Sequence, residues 1–268
     1  MGLCLFEDRK NSLPQNHCTM TTPFHLNGKT VLVTGASSGI GRQVAISVSK
    51  MGGTCVLTGR NEEELKITLR LLEGNNHSLH VADLVDSESR EELLRKIPIV
   101  DGLAHCAGNV KAFPIKFLDQ KNIDEMMKLN FDAPVLLVAG LLRGKKINTN
   151  ASLVFLSSIS SHYPSKGGAM YGGSKAAIET FVKTLAQEVV GQGIRANSIS
   201  PGMVRTPLYD RAEEAVSKEH MDKHMEGYPL GVGEPEDVAN AVIYLLSPAS
   251  RWVTGINIIL DGGFLAGG

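Results

Sequence analysis

The stretch TVLVTGASSGIGR, residues 30–42, decides the fold. A run rich in β-branched residues (Thr30, Val31, Val33, Thr34) enters a turn in which Gly35, Gly39 and Gly41 are spaced G-x-x-x-G-x-G, and helix formers follow. Glycines at a strand-to-helix turn permit a tight bend and let backbone approach a pyrophosphate, whose charge is favoured by the free N–H groups at a helix start. Working outward, six more short apolar runs read as strands: TCVLTG (54–59), SLHVAD (78–83), GLAHCAG (102–108), SLVFLSS (152–158), IRANSIS (194–200) and INIILDG (256–262). Between them lie stretches of helical length. The clearest is AAIETFVKTLAQEVV (176–190), where Ile178, Phe181, Val182, Leu185 and Val189 mark one face. Strands alternating with helices predict an α/β fold: a single doubly wound, Rossmann-type domain with a seven-stranded parallel sheet. No repeat or linker divides it, so the domain is expected over 25–268.

Composition narrows the partners. With 268 residues and 43% hydrophobic content there is ample material for a core, and a net charge of −1 leaves no footprint for nucleic acid or an anionic membrane. Small molecules and further copies of the chain remain as partners. Cys4, Cys18, Cys55 and Cys106 form no C-x-x-C pair and no zinc-like spacing, and read as reduced thiols of a cytoplasmic protein. The longest apolar run, APVLLVAGLL (133–142), is half of what a bilayer crossing requires and predicts a core helix. Residues 1–24 carry charges that break any signal core and read as a loosely attached lead, with Met20 an alternative start. Gly2 invites a myristoylation reading, but Phe6 stands where that motif asks for Ser or Thr.

The second informative stretch is AMYGGSKAAIE, residues 169–179. Tyr171 and Lys175 lie four apart and share a helix face, while Gly172 and Gly173 between them each cost roughly 1 kcal/mol against alanine. Together with the glycine loop, this chain resembles the classical short-chain dehydrogenase/reductase family over about 27–264. HCAG (105–108) stands where the family has N-N-A-G, KLNFDAP (128–134) carries a helix asparagine as Asn130, and FLSS (155–158) puts Ser158 thirteen residues before Tyr171. SPGMVRTPL (200–208) resembles the segment that closes on the nicotinamide, and VTGINIILDGG (253–263) the last strand. The departure is His105-Cys106 for two asparagines, which puts a sheet-bracing contact in doubt.

The resemblance implies a nicotinamide-dependent interconversion of a ketone and a secondary alcohol. Tyr171 is then the general acid or base, Ser158 bonds the substrate oxygen, Lys175 holds the nicotinamide ribose and lowers the Tyr171 pKa, and Asn130 serves a proton relay. The small residues between Tyr171 and Lys175 are expected to leave room for cofactor and substrate. The cofactor set is Gly35, Ser37, Ser38, Gly39, Ile40, Gly41, Arg60, Asp83, Leu84, Ala107, Gly108, Tyr171, Lys175, Pro201, Gly202, Val204 and Thr206. No metal is expected: His220 and His224 share a face but lack a third ligand. The second strand ends in Gly59-Arg60 where NAD-selective chains place an acid, so NADP(H) is preferred, with NAD(H) the alternative. Arg42 decides nothing by itself, and Asp83 reads equally as a helix-capping acid.

Residues 205–232 form the expected substrate lid, with Met221, Met225 and Tyr228 at helical spacing either as an adaptable pocket wall or as the lid's own anchor. His162 and Tyr163 are candidates for the pocket lining. Length and ending most resemble 3-oxoacyl-carrier-protein reductases, although hydroxysteroid and sugar dehydrogenases end similarly; Arg205, Arg211, Lys218 and Lys223 are interleaved with acids and do not decide it. The family's habit implies a homo-oligomer, expected to be a tetramer. The alternative from another class is a dinucleotide-binding sensor without turnover.

Overall fold

The computed structural model describes residues 22–207 and 225–266. Seven parallel strands form one sheet in the order β3-β2-β1-β4-β5-β6-β7. They are β1 Thr30–Thr34, β2 Thr54–Gly59, β3 Ser78–Val81, β4 Val100–His105, β5 Ile147–Leu156, β6 Arg195–Pro201 and β7 Asn257–Leu260. The α-helices among the described residues are α1 Gly39–Lys50, α2 Glu62–Arg70, α3 Ser87–Lys96, α4 Gln120–Met127, α5 Ala133–Arg143, α6 Ala169–Val189 and α7 Pro235–Leu246. The strand order reverses between β1 and β4, and in such sheets the crevice outside the carboxyl ends at that point is where ligands bind.

Alternation along the strands divides the core into two. Leu32, Leu153 and Phe155 face the α5 and α6 side with Leu137, Leu141, Ile178 and Val182. Val31, Val33, Val154 and Leu156 face the other side, against Val44 and Val48 of α1 and Val238 and Val242 of α7. Each large apolar side chain so buried contributes about 1.5–3 kcal/mol. Residue 155 is fully buried and meets Phe181 edge-on at 5.8 Å, which fixes α6 against β5 and hence the height of its first turns.

Two departures from expectation bear on function. β4 ends at His105 instead of continuing to Gly108. Beyond it the Cys106 and Ala107 N–H groups both donate to Thr34 Oγ1, at 3.1 and 3.2 Å, so the chain is drawn over β1 and out of the ladder. The helix carrying Asn130 is interrupted by a π-helical stretch, Lys128–Asp132, between α4 and α5. Such insertions commonly re-aim a side chain at a functional site.

Candidate active site and cofactor cleft

At the reversal point two clefts meet. One, of about 360 Å³, is lined by Gly35, Ser37, Ser38, Gly39, Ile40 and Gly41 of the glycine loop and by Gly59, Arg60, Asp83, Leu84, Ala107 and Gly108 around it. The loop is closed tightly: a Cβ on Gly41 would lie 2.2 Å from the Gly35 carbonyl oxygen, and one on Gly35, whose φ is +64°, would lie 2.9 Å from Ala107 backbone. α2, α3 and α4 are capped by the side chains of Asn61, Asp86 and Asp119. α1, which opens into this cleft, has no side-chain cap and no acid in its first turn. Its first N–H groups and the positive end of its dipole suit a phosphate. These residues fit a dinucleotide.

The two arginines near the adenosine end differ. Arg42 is committed: its guanidinium donates to Ser37 O and Thr68 Oγ1 and pairs with Glu64 at 2.5 Å. Arg60 lines the cleft and makes no ion pair among the described residues. A Cβ on Gly59 would find its nearest neighbour, Ser37 Oγ, at 3.5 Å, so an acid is sterically permitted there and simply absent. Asp83 Oδ1 accepts from Val85 N at 3.0 Å and Asp86 caps α3, so Asp83 braces the cleft floor and is not the cap.

The second cleft, of about 330 Å³, lies over α6 and contains Ser158, Tyr171 and Lys175 with Pro201, Gly202, Val204 and Thr206. Ile40, Cys106, Gly108, Asn109, Leu156 and Thr206 line both clefts, which are therefore continuous. Lys175 Nζ sits 5.9 Å from the Tyr171 ring centre and donates to Leu156 O at 2.9 Å. Burial pulls the Lys175 ammonium down to about 8. For Tyr171 the expected lowering is reversed: burial raises the phenol, and a hydrogen bond with Ser158 offsets only part of that. Desolvation penalises the phenolate more than its neighbours favour it.

Asn130 is buried at the π-helical stretch and stands behind the cleft instead of lining it. Its amide bonds Asn109 in both directions, at 2.9 Å each, and donates to Ser174 Oγ at 3.1 Å. Its Oδ1 and Lys175 Nζ flank Gly108, each 3.3 Å from where a Cβ would be. The two glycines of the Tyr171 motif have separate explanations. A Cβ on Gly172 would strike Ser160 O at 2.5 Å, so this glycine lets α6 press against the turn carrying Ser158, whereas Gly173 is exposed with nothing within 4 Å. Neither glycine lines either cleft.

His105 keeps the bracing contact that the missing asparagines had put in doubt. Thr34 Oγ1, already accepting two N–H groups, bonds His105 Nδ1 at 3.1 Å. The ring proton then belongs on Nε2, which is buried without a partner, and desolvation with the nearby Lys175 charge lowers this imidazole to about 3.

Tyr163 and Phe264 meet edge-on at 5.0 Å, and Tyr228 stacks on Phe264 at 4.6 Å, making one aromatic wall of the cleft. Tyr228 is buried and its hydroxyl accepts from Met203 N at 3.1 Å, so it serves both as wall and as anchor. Phe264 went unmarked in sequence: nothing in the spacing of 261–266 distinguishes it. His162 lies outside the lining. Met221, His220, His224, Arg211, Lys218 and Lys223 lie outside the described residues. Arg205 pairs with Glu234 at 2.7 Å. Among the described residues no helix is long and apolar enough to cross a membrane.

The family model described as enoyl-(acyl carrier protein) reductase matches residues 35–265. The 3-oxoacyl-[acyl-carrier-protein] reductase FabG of Rickettsia felis is 32% identical over 241 residues, 90% of this chain and 98% of that one. A tropinone reductase homologue of Arabidopsis thaliana is 32% identical over 254 residues, covering 91% and 94%. Among solved structures, a short chain dehydrogenase/reductase family protein superposes with a TM-score of 0.80 at 31% identity, over 90% of this chain and 99% of that one. A dehydrogenase/reductase from Sinorhizobium meliloti 1021 gives 0.83 at 28%, over 91% and 98%. Fold, cleft and relatives agree: this chain belongs to the short-chain dehydrogenase/reductase family, in its 3-oxoacyl-carrier-protein reductase-like branch, and is a nicotinamide-dependent oxidoreductase acting between CH–OH and C=O groups.

Proposed function

We propose that the chain is an NADP(H)-dependent ketone reductase of 3-oxoacyl type, with Tyr171 as proton donor. One observation carries this reading: a half-buried phenol, a buried amine and a serine hydroxyl share one cleft that runs without interruption into the glycine-loop cleft. The nicotinamide supplies the hydride when bound. The chain must then deliver a proton to the carbonyl oxygen. Tyr171, whose pKa desolvation raises above that of a free phenol, donates it, and Ser158 donates a hydrogen bond to the same oxygen. Lys175 holds the ribose and stands next to Asn130, through which the proton is replenished by way of the Gly108 corner. Positioned acid catalysis of this kind contributes about 10²–10⁴-fold.

Arg60 beside an acid-free Gly59 favours a 2′-phosphate, a charge-assisted contact of roughly 1.5–3 kcal/mol. The aromatic wall of Tyr163, Tyr228 and Phe264 favours an acyl or ring substrate over a sugar, and the FabG relative favours the acyl class. Exposed Leu136 on α5, Val190 after α6 and Ile259 on the edge strand β7 support assembly, for which we propose the family's tetramer.

The experiment is a panel of 3-oxoacyl thioesters, cyclic ketones and sugars with each reduced nicotinamide, read by cofactor absorbance. Turnover of oxoacyl thioesters with NADPH is expected. Silence across all three classes rejects the reductase reading.

A further inference from the structure

Glu179 stands one turn beyond Lys175 on α6, is only 8% exposed, and is the one buried carboxylate among the described residues. On its helix face it stands between buried Lys175 and the apolar Val182, with Ile178 beside it, so apolar packing alone does not call for an acid. Burial of a carboxylate is costly unless its lone pairs are satisfied. Three serine hydroxyls satisfy it, donating to Oε1 from Ser157 at 2.7 Å, Ser161 at 2.5 Å and Ser200 at 2.9 Å. His162 Nε2 lies 3.2 Å from Oε2, and Asn257 ties that ring to Ser200 from β7. Two of the three donors flank Ser158: Ser157 precedes it in the chain, and Ser161 Oγ also lies 2.6 Å from the Ser158 carbonyl oxygen. Glu179 itself lies outside the cleft lining.

We propose that Glu179 is a positioning residue, whose carboxylate gathers Ser157 and Ser161 on either side of Ser158 and so aims the Ser158 hydroxyl at Tyr171. The proposal rests on the reductase reading above and adds to it a carboxylate that ties down the neighbours of Ser158, whose own hydroxyl bonds Ser160 N and Oγ at 3.2 Å each. The titratable groups around the pair are Lys175 on the same helix, His105 and Cys106 at the end of β4, and His162 against the carboxylate.

The test compares Glu179→Leu, which keeps the volume and removes the acceptor, with Glu179→Gln, which keeps an acceptor oxygen. With the ketone that the panel identifies, the Leu variant loses roughly tenfold or more in kcat, while NADPH affinity is unchanged and the Gln variant retains most activity. Because the Ser158 contact draws the Tyr171 pKa down, the rising limb of kcat/KM for alcohol oxidation moves to higher pH in the Leu variant and stays in place in the Gln variant. Phenolate absorbance of NADP-bound protein, each variant measured against its Tyr171→Phe partner, reads the same shift without turnover. A wild type that reduces nothing therefore sinks the reductase reading alone, and the absorbance shift still decides this one. Should Glu179→Leu fail to fold, Ser161→Ala removes one tether and moves the limb in the same direction. Full kcat with an unmoved limb and unmoved phenolate absorbance, in folded Glu179→Leu or its Ser161→Ala substitute, overturns the proposal.

Discussion

The two halves of the continuous cleft are made of different materials. At the ends of β1 to β3 the surface is backbone: the glycine loop turns so tightly that no side chain fits at Gly35 or Gly41, and the N-terminus of α1 is left without a cap. Over α6 the working groups are side chains, and their properties come from burial: Lys175 is drawn down to about 8 while Tyr171 is pushed up. A backbone site is broken by adding atoms. A side-chain site is broken by removing them or by changing the solvent around them.

The largest effect that sharpens this contrast is expected from Gly41→Ala. Its methyl must displace the Gly35 carbonyl, costing about 1–3 kcal/mol of strain, or up to about a hundredfold in cofactor affinity, measurable by nicotinamide fluorescence titration. Next comes acid stability. The folded chain holds His105 neutral down to about pH 3, whereas the unfolded chain takes up a proton near its ordinary 6.5. Stability is therefore fully present above about 6.5 and is lost as pH falls toward 3, by on the order of a few kcal/mol. His105→Asn should flatten that slope in urea titrations at several pH values. A smaller change, of about ten- to a hundredfold in the NADP to NAD preference, is expected when Gly59→Asp is combined with Arg60→Ala, read as the ratio of kcat/KM for the two cofactors. The smallest effect divides the two glycines of α6. Gly173→Ala, with open space around it, should stabilise by about 0.5–1 kcal/mol, while Gly172→Ala should destabilise through its clash with Ser160 O, both seen in thermal melts.

The same contrast explains what could be read from sequence. Glycine spacing and β-branched runs are local, so the loop, the seven strands and the doubly wound sheet were legible, and the residues expected around the cofactor do line the clefts. Helical spacing also paired Tyr171 with Lys175, and the family resemblance added Ser158 to them. Spacing could not supply the sign of the Tyr171 shift, because desolvation depends on how deeply the phenol is buried by distant segments. Nor could it foresee Phe264, which reaches the wall only through the fold of the last strand. Glu179 had a readable signal: it falls at helical spacing from both Lys175 and Val182, on the buried face. The function of Gly172 was hidden because its neighbour, the turn at Ser160, is brought there by β5.

Single-turnover kinetics with Tyr171→Phe test most directly whether the Tyr171 phenol is the proton source. Protein saturated with NADPH is mixed with the panel's ketone, and loss of cofactor absorbance is followed in both proteins. The wild type should oxidise one equivalent per site, and the variant, binding NADPH equally well, should be slower by about 10²–10⁴-fold or more. Equal rates in the two proteins would contradict the mechanism.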